Sequence, residues 1–222
     1  SKHLFSLIEW TLDYDNLALN PLMTEAGQNS INELSSKYLV SIPSITCDFF
    51  KQKPFWQETS AIWRNFRINQ LISVLQACHQ IGIQTIVIPL VDNSAVKTSS
   101  EESTLIELMN SLHTTLQDLA LRVAFESDYS PEKLCSFISL LPESTFGINY
   151  DIGNSAALGF DSELEIRCYG SRILNVHVKD RIFNGTTVPL GSGSADLNNV
   201  FHHLKKANYQ GNYILQTARS PH

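Results

Sequence analysis

Six carboxylates and one amide fall at the C-terminal ends of short β-rich runs: Glu9, Asp48, Asp92, Glu126, Asp151, Asp180 and Gln216. A carboxylate at such a position can take or give a proton when a reacting group comes within hydrogen-bond reach. A single one is more often a solvated or salt-bridged group. His177 alternates with Val176 and Val178, so it faces the opposite side of its run, and Lys179 shares that side. Lys179 can reach a phosphate or another ligand oxygen, or pair with a neighbouring carboxylate. Arg219, just beyond Gln216, is a second anion-binding candidate. The GSGSAD turn, Gly191 to Asp196, offers backbone N–H groups to an anion at a helix N-terminus, or is a loop with Ser194 or Asp196 as N-cap.

The elements that must position these groups follow from periodicity. Strands are expected at Leu7–Trp10, Tyr38–Cys47, Ile83–Val91, Leu121–Ser127, Phe146–Asp151, Ile173–Asp180 and Tyr213–Ala218. Helices fill the gaps. One is capped by Thr24 and runs to about Tyr38. Others run from Thr59 to Gln80, from Ser100 to Leu121, from Ser130-Pro131-Glu132 onward, from Asp161 to Gly170 and from Ala195 to Ala207. In the second, Ile62, Phe66, Leu71, Val74 and Leu75 share a stripe. Strict alternation implies parallel strands with helical crossovers. A closed barrel and an open doubly wound sheet both satisfy it. The first strand is followed by neither GxGxxG nor a P-loop, which removes the usual nucleotide signatures. Polar groups at nearly every strand end suit a (β/α)8 TIM barrel, in which the site draws on several strands and His177 points inward. Seven strands predict that a first β/α unit and a last helix lie outside this sequence. The expectation is one domain over 1–222, at the low end for such a barrel.

The chain is 43% apolar and 17% charged, with a formal net charge of −6. That composition fits a folded domain and gives no basic footprint for nucleic acid. No apolar run is long enough to cross a membrane, and no signal peptide is expected at residue 1. Cys47, Cys78, Cys135 and Cys168 form no CxxC pair and read as free thiols of a cytoplasmic protein. Trp10, Phe49, Phe50, Phe55 and Trp56 follow the first two strands, either walling a ligand pocket or packing loops, with packing slightly favoured.

The stretch YDIGNSAALGFDSELEIRCYGSRILNVHVKDR, with GTTVPLGSGSADLNNVF and YQGNYILQTAR after it, resembles the sugar phosphate isomerase/epimerase family, whose fold is a xylose isomerase-like barrel. IEWTLDYDNLALNPL and IVIPLVDNS resemble it too, so the likeness runs over nearly the whole chain. The resemblance implies a divalent metal held by Glu126 in AFES, Asp151 in YDIGN, His177 in NVHVKD and Gln216 in ILQTA. In characterised relatives the first and last positions are glutamates that also move the substrate proton. Here Gln216 replaces the last, and Asn154 stands where many relatives have histidine.

The chemistry so implied is proton transfer next to a carbonyl of a sugar or sugar phosphate, the enediolate being stabilised by the cation. Carboxylates with one imidazole suit Mn²⁺, Mg²⁺, Co²⁺ or Zn²⁺ alike. Glu126 is the expected base. Gln216 cannot titrate, so one base must shuttle the proton, or Asp180, Glu9 or Asp92 supplies another acid, or the site only binds. Glu126 and Asp180 are therefore the catalytic candidates. Glu9, Asp92, Asn154, Lys179 and Arg219 are the substrate-binding candidates. A non-catalytic sugar-binding barrel is the alternative. A metal-dependent phosphodiesterase is a minor one, since it needs many site histidines and a basic groove. A homo-oligomer is compatible with all of these.

Overall fold

A computed structural model describes residues 5–12 and 17–217 of the chain. It forms two compact units, Ser1–Val123 and Ala124–His222. In the first, β1 (Leu7–Thr11), β2 (Ser41–Thr46) and β3 (Thr85–Leu90) pair in parallel in that order. The start of β4 (Arg122–Ser127) joins β3, with Arg122 N–H donating to the Gln84 carbonyl at 2.9 Å. Parallel neighbours require crossovers, and α1 (Glu25–Tyr38), α2 (Asp48–Gln52), α3 (Ala61–Gln80) and α4 (Ser99–Asp118) provide them. Every residue of β3 is buried, as a strand covered on both faces must be.

Helix starts follow the local chemistry. Thr24 accepts from Gly27 N–H, Ser60 from Trp63 N–H, and Thr98 with Glu101 forms a reciprocal capping box. Past the end of α3, Gly82 takes φ +79°, a left-handed conformation in which a Cβ would be strained.

The stripe expected on α3 is buried only in part. Leu71, Val74 and Leu75 are buried, whereas Ile62 and Phe66 are 80% and 47% exposed. A helix of 20 residues is about 30 Å long and a strand of six residues only about 20 Å. The first turns of α3 therefore overhang, and Trp63 and Phe66 stack edge to face there. Phe49, Phe50, Phe55 and Trp56 are all buried in an edge-to-face chain with centroids 5.1, 5.6 and 4.8 Å apart. The Trp56 indole donates to the Ser94 carbonyl at 3.1 Å. These four side chains are packing, not a sugar wall.

The second unit carries the rest of β4, then α5 (Pro131–Ser139), β5 (Phe146–Asp151), α6 (Ile152–Leu158), α7 (Ser162–Tyr169) and β6 (Ile173–Val178). After them come β7 (Asp180–Arg181), β8 (Thr187–Val188), α8 (Leu197–Lys206) and β9 (Asn212–Leu215). β4 neighbours β5, and β5, β6 and β9 pair in parallel. The expected strand through Asp180 in fact ends at Val178, and Asp180–Arg181 pairs antiparallel with Thr187–Val188. The physical cause is the Asp180 carboxylate. It accepts from Gly191 N–H at 2.9 Å, Gly193 N–H at 2.8 Å and Ala195 N–H at 3.1 Å, folding the chain back around itself. Gly193 has no room for a Cβ beside that carboxylate. Asp196 caps α8 through Asn199 N–H, so the GSGSAD turn is a capped loop. All four cysteines are free thiols, and burial pushes that of Cys78 up to about 12.

Candidate metal centre

Register brings the strand-end groups together. β5 and β6 set Asp151 beside His177 and Asn149 beside Asn175, one pleat repeat earlier on the same face. Asp151 also opens α6. Its Oδ1 accepts from Asn154 N–H at 2.8 Å as the helix cap, which turns Oδ2 toward His177 Nδ1 at 3.8 Å. From β4, Glu126 brings Oε2 to 3.3 Å from the same Nδ1. Glu126, Asp151 and His177 are all buried, His177 completely.

One ligand atom from each of the three lies within 4.8 Å of the others. Two donors about 2.1 Å from one ion stand about 3.4 Å apart at a tetrahedral angle. The 3.3 and 3.8 Å separations bracket that value, so two carboxylate oxygens and one imidazole nitrogen fit a divalent cation.

Neighbouring amides set these orientations. Asn149 Nδ2 donates to Glu126 Oε2 at 2.9 Å and lies 3.1 Å from His177 Nδ1. Asn175 Nδ2 holds Asn149 Oδ1 at 2.8 Å, which fixes which way the Asn149 amide faces. Asn154 Nδ2 donates to Glu126 Oε1 at 2.6 Å. Asn149 and Asn175 were not among the expected site residues, although their spacing from Asp151 and His177 by two positions was the available signal.

Lys179 Nζ lies 3.2 Å from Asp151 Oδ2 and 2.9 Å from Gln216 Oε1. A Cβ on Gly153 would come 2.7 Å from Lys179 Cγ, so the glycine of YDIGN makes room for the lysine stem. Burial alone would raise the Asp151 pKa, but the His177 hydrogen bond, the Lys179 and His177 charges and the Asn154 N–H together hold it below the ordinary carboxylate value.

Other expected residues have different partners. Asp180 is fully buried, and its carboxylate accepts from the three loop amides of Gly191, Gly193 and Ala195. Glu9, in the first unit, accepts from Ser44 at 2.7 Å and Thr46 at 2.6 Å. Asp92, also there, is exposed and paired with Lys51 at 2.7 Å. Arg219 lies outside the described residues.

A further buried carboxylate, Glu165 of α7, was not among the expected site residues. Tyr150 and Tyr169 donate to it at 2.8 and 2.7 Å, and Ser155 also donates. Desolvation outweighs these three bonds and raises its pKa. A raised carboxylate binds its proton more tightly folded than unfolded. Stability from this group is therefore present at low pH and declines as pH climbs from about 4.5 through the folded value. Urea unfolding of the wild type from pH 4 to 8 is expected to show that decline, and Glu165→Gln to flatten it; parallel curves would remove Glu165 as its source. Asp151 acts in a separate window, below 3.8, with the opposite sign.

The chain is 26% identical over 232 residues to L-ribulose-5-phosphate 3-epimerase UlaE of Salmonella heidelberg (strain SL476), covering 97% of this chain and 75% of that protein. It is 24% identical to the putative L-ribulose-5-phosphate 3-epimerase SgbU of Escherichia coli (strain K12), covering 96% and 79%. Among solved structures, a D-psicose 3-epimerase determined in the presence of D-fructose superposes with a TM-score of 0.80 at 16% identity, covering 98% of this chain and 76% of that one. The IOLI protein with a bound zinc atom gives 0.78 at 16%, covering 97% and 80%. At these identities the structures speak for the fold, and they decide for the barrel over the open sheet. A family profile described as xylose isomerase-like TIM barrel matches residues 5–221, and the chain belongs to that family.

Proposed function

We propose that the chain is a metal-dependent isomerase or epimerase acting on a sugar or sugar phosphate next to a carbonyl. The observation that carries this reading is the buried Glu126–Asp151–His177 group with ligand atoms at metal-binding separations. A divalent cation bound there would supply a Lewis acid for the negative charge of an enediolate. Everything else is asked of the chain's own side chains. Glu126 takes the proton from the carbon beside the carbonyl, and its two oxygens are aimed by Asn149 and Asn154. His177 and Asp151, with Glu126, would hold the cation. Lys179 places an ammonium beside Asp151 and Gln216, where it can bind a substrate oxygen. The epimerase names of the relatives support a five-carbon ketose phosphate as the first substrate to try.

Gln216 favours a second reading, a barrel that binds sugar without turning it over, because its amide accepts from Lys179 and has no proton to exchange near neutral pH.

The test is Mn²⁺ or Zn²⁺ affinity of the wild type, Glu126→Ala, His177→Ala and Gln216→Glu, followed by turnover of L-ribulose 5-phosphate. Stoichiometric binding lost in both alanine variants is expected. Gln216→Glu is expected to bind roughly tenfold tighter, as added ligand charge does. Equal binding by the wild type would take Gln216 out of the ligand set. Binding without turnover across ketose phosphates and free ketoses would favour the sugar-binding reading.

A further inference from the structure

We propose that Arg181 is a positioning residue for Glu126, acting through Asn154; the inference rests on the metal-site reading above. Arg181 Nη1 donates to Asn154 Oδ1 at 2.8 Å. A guanidinium has no acceptor, so the Asn154 atom it meets must be the carbonyl oxygen, and the amide nitrogen must face the other way. That nitrogen donates to Glu126 Oε1 at 2.6 Å. A reversed Asn154 would set carbonyl oxygen against carboxylate and N–H₂ against guanidinium, two repulsive contacts at once. Arg181 thus selects the one amide orientation that binds Glu126 and leaves Oε2 toward His177 Nδ1.

The relay starts from a fixed base. Arg181 Nε and Nη2 both donate to the Gly185 carbonyl, at 3.2 and 2.8 Å. The hairpin that carries them is closed by Gly185 N–H on the Ile182 carbonyl at 2.7 Å. Asn184 N–H ties it to the Ala157 carbonyl of α6 at 2.9 Å. Asn154 sits on that same helix, and its backbone N–H holds Asp151 Oδ1. One asparagine therefore touches both acids of the metal group, and one arginine decides how it faces. Outer-shell partners of metal ligands commonly change affinity by about 10–100-fold when removed.

The experiment is calorimetric titration of Mn²⁺ into the wild type, Arg181→Met, Arg181→Lys, Asn154→Ala and the Arg181→Met/Asn154→Ala double variant, with thermal unfolding of each metal-free protein. Arg181→Met is expected to weaken Mn²⁺ binding about tenfold. Arg181→Lys, which keeps one donor, should recover part of that loss. The double variant should bind like Asn154→Ala alone, because both substitutions break one relay. Arg181→Met binding within twofold of wild type would overturn the proposal, and so would effects that simply add. A fall in unfolding temperature with unchanged Mn²⁺ affinity would also overturn it, making Arg181 a brace for the hairpin only. Should Arg181→Met fail to fold, Arg181→Lys and its combination with Asn154→Ala carry the same comparison. A wild type that binds no Mn²⁺ overturns both this proposal and the metal-site reading, whereas intact wild-type binding with no coupling overturns this one alone.

Discussion

Glu126→Gln is expected to lower turnover on any accepted sugar by about 10²–10⁴-fold, the usual worth of a positioned base. The substitution keeps the side-chain length and one acceptor for Asn154. It removes the titrating oxygen and turns an N–H₂ toward the Asn149 amide nitrogen, which in the wild type donates to Glu126, and toward His177 Nδ1, which faces it. Metal affinity should fall as well, so turnover is to be compared with each protein saturated in Mn²⁺. The unfolding temperature of the metal-free variant separates a lost base from a lost fold. Turnover within tenfold of wild type at saturating Mn²⁺ would show that the proton leaves to another group.

The second large effect is on stability. Asp180→Ala is expected to destabilise the protein by about 2–4 kcal/mol. It removes the acceptor for the N–H groups of Gly191, Gly193 and Ala195, and an orphaned donor costs about 1–3 kcal/mol, less where water can replace the partner. The glycines of this loop are exposed, so part of the penalty is recovered. Asp180→Asn keeps the shape and one acceptor oxygen, but loses the charge that strengthens these bonds, and should fall between the two. Urea midpoints at neutral pH make the measurement. An unchanged midpoint for Asp180→Ala would mean that the loop holds without its carboxylate. Loss of turnover in this variant would arise through the β6 loop, because Arg181, the next residue, leads to Asn154 and Glu126.

Asp180 and Glu126 show why strand-end acids could be found but not sorted from sequence. Both close β-rich runs and both are buried, yet one collects backbone amides and the other faces an imidazole. Which partner an acid meets depends on loops that return from later in the chain. The Gly191–Ala195 segment that fills Asp180 comes after a hairpin that has no periodic signal. Asp92 illustrates the same point from the exposed side, since its neighbour Lys51 arrives from α2, a helix of five residues too short to read. α6 was missed for a related reason. Its first helical turn is organised by the Asp151 cap, and the motif reads as a strand end until the cap is seen.

Sequence alone determined the alternation of strands and helices, the cap at Thr24, the helix start at Ser130-Pro131-Glu132, and the inward side of His177, because each depends on residues a few positions apart. It also marked Glu126, Asp151 and His177 through motifs that resemble a known family. Tertiary structure decided what these residues do to one another. The β5–β6 register, and not either strand's own pattern, places Asp151 opposite His177 and Asn149 opposite Asn175. Period-two alternation assigns a face but leaves the sliding of one strand along the next undetermined. The direction of the Asn154 amide was equally out of reach, since it is chosen by an arginine 27 positions away.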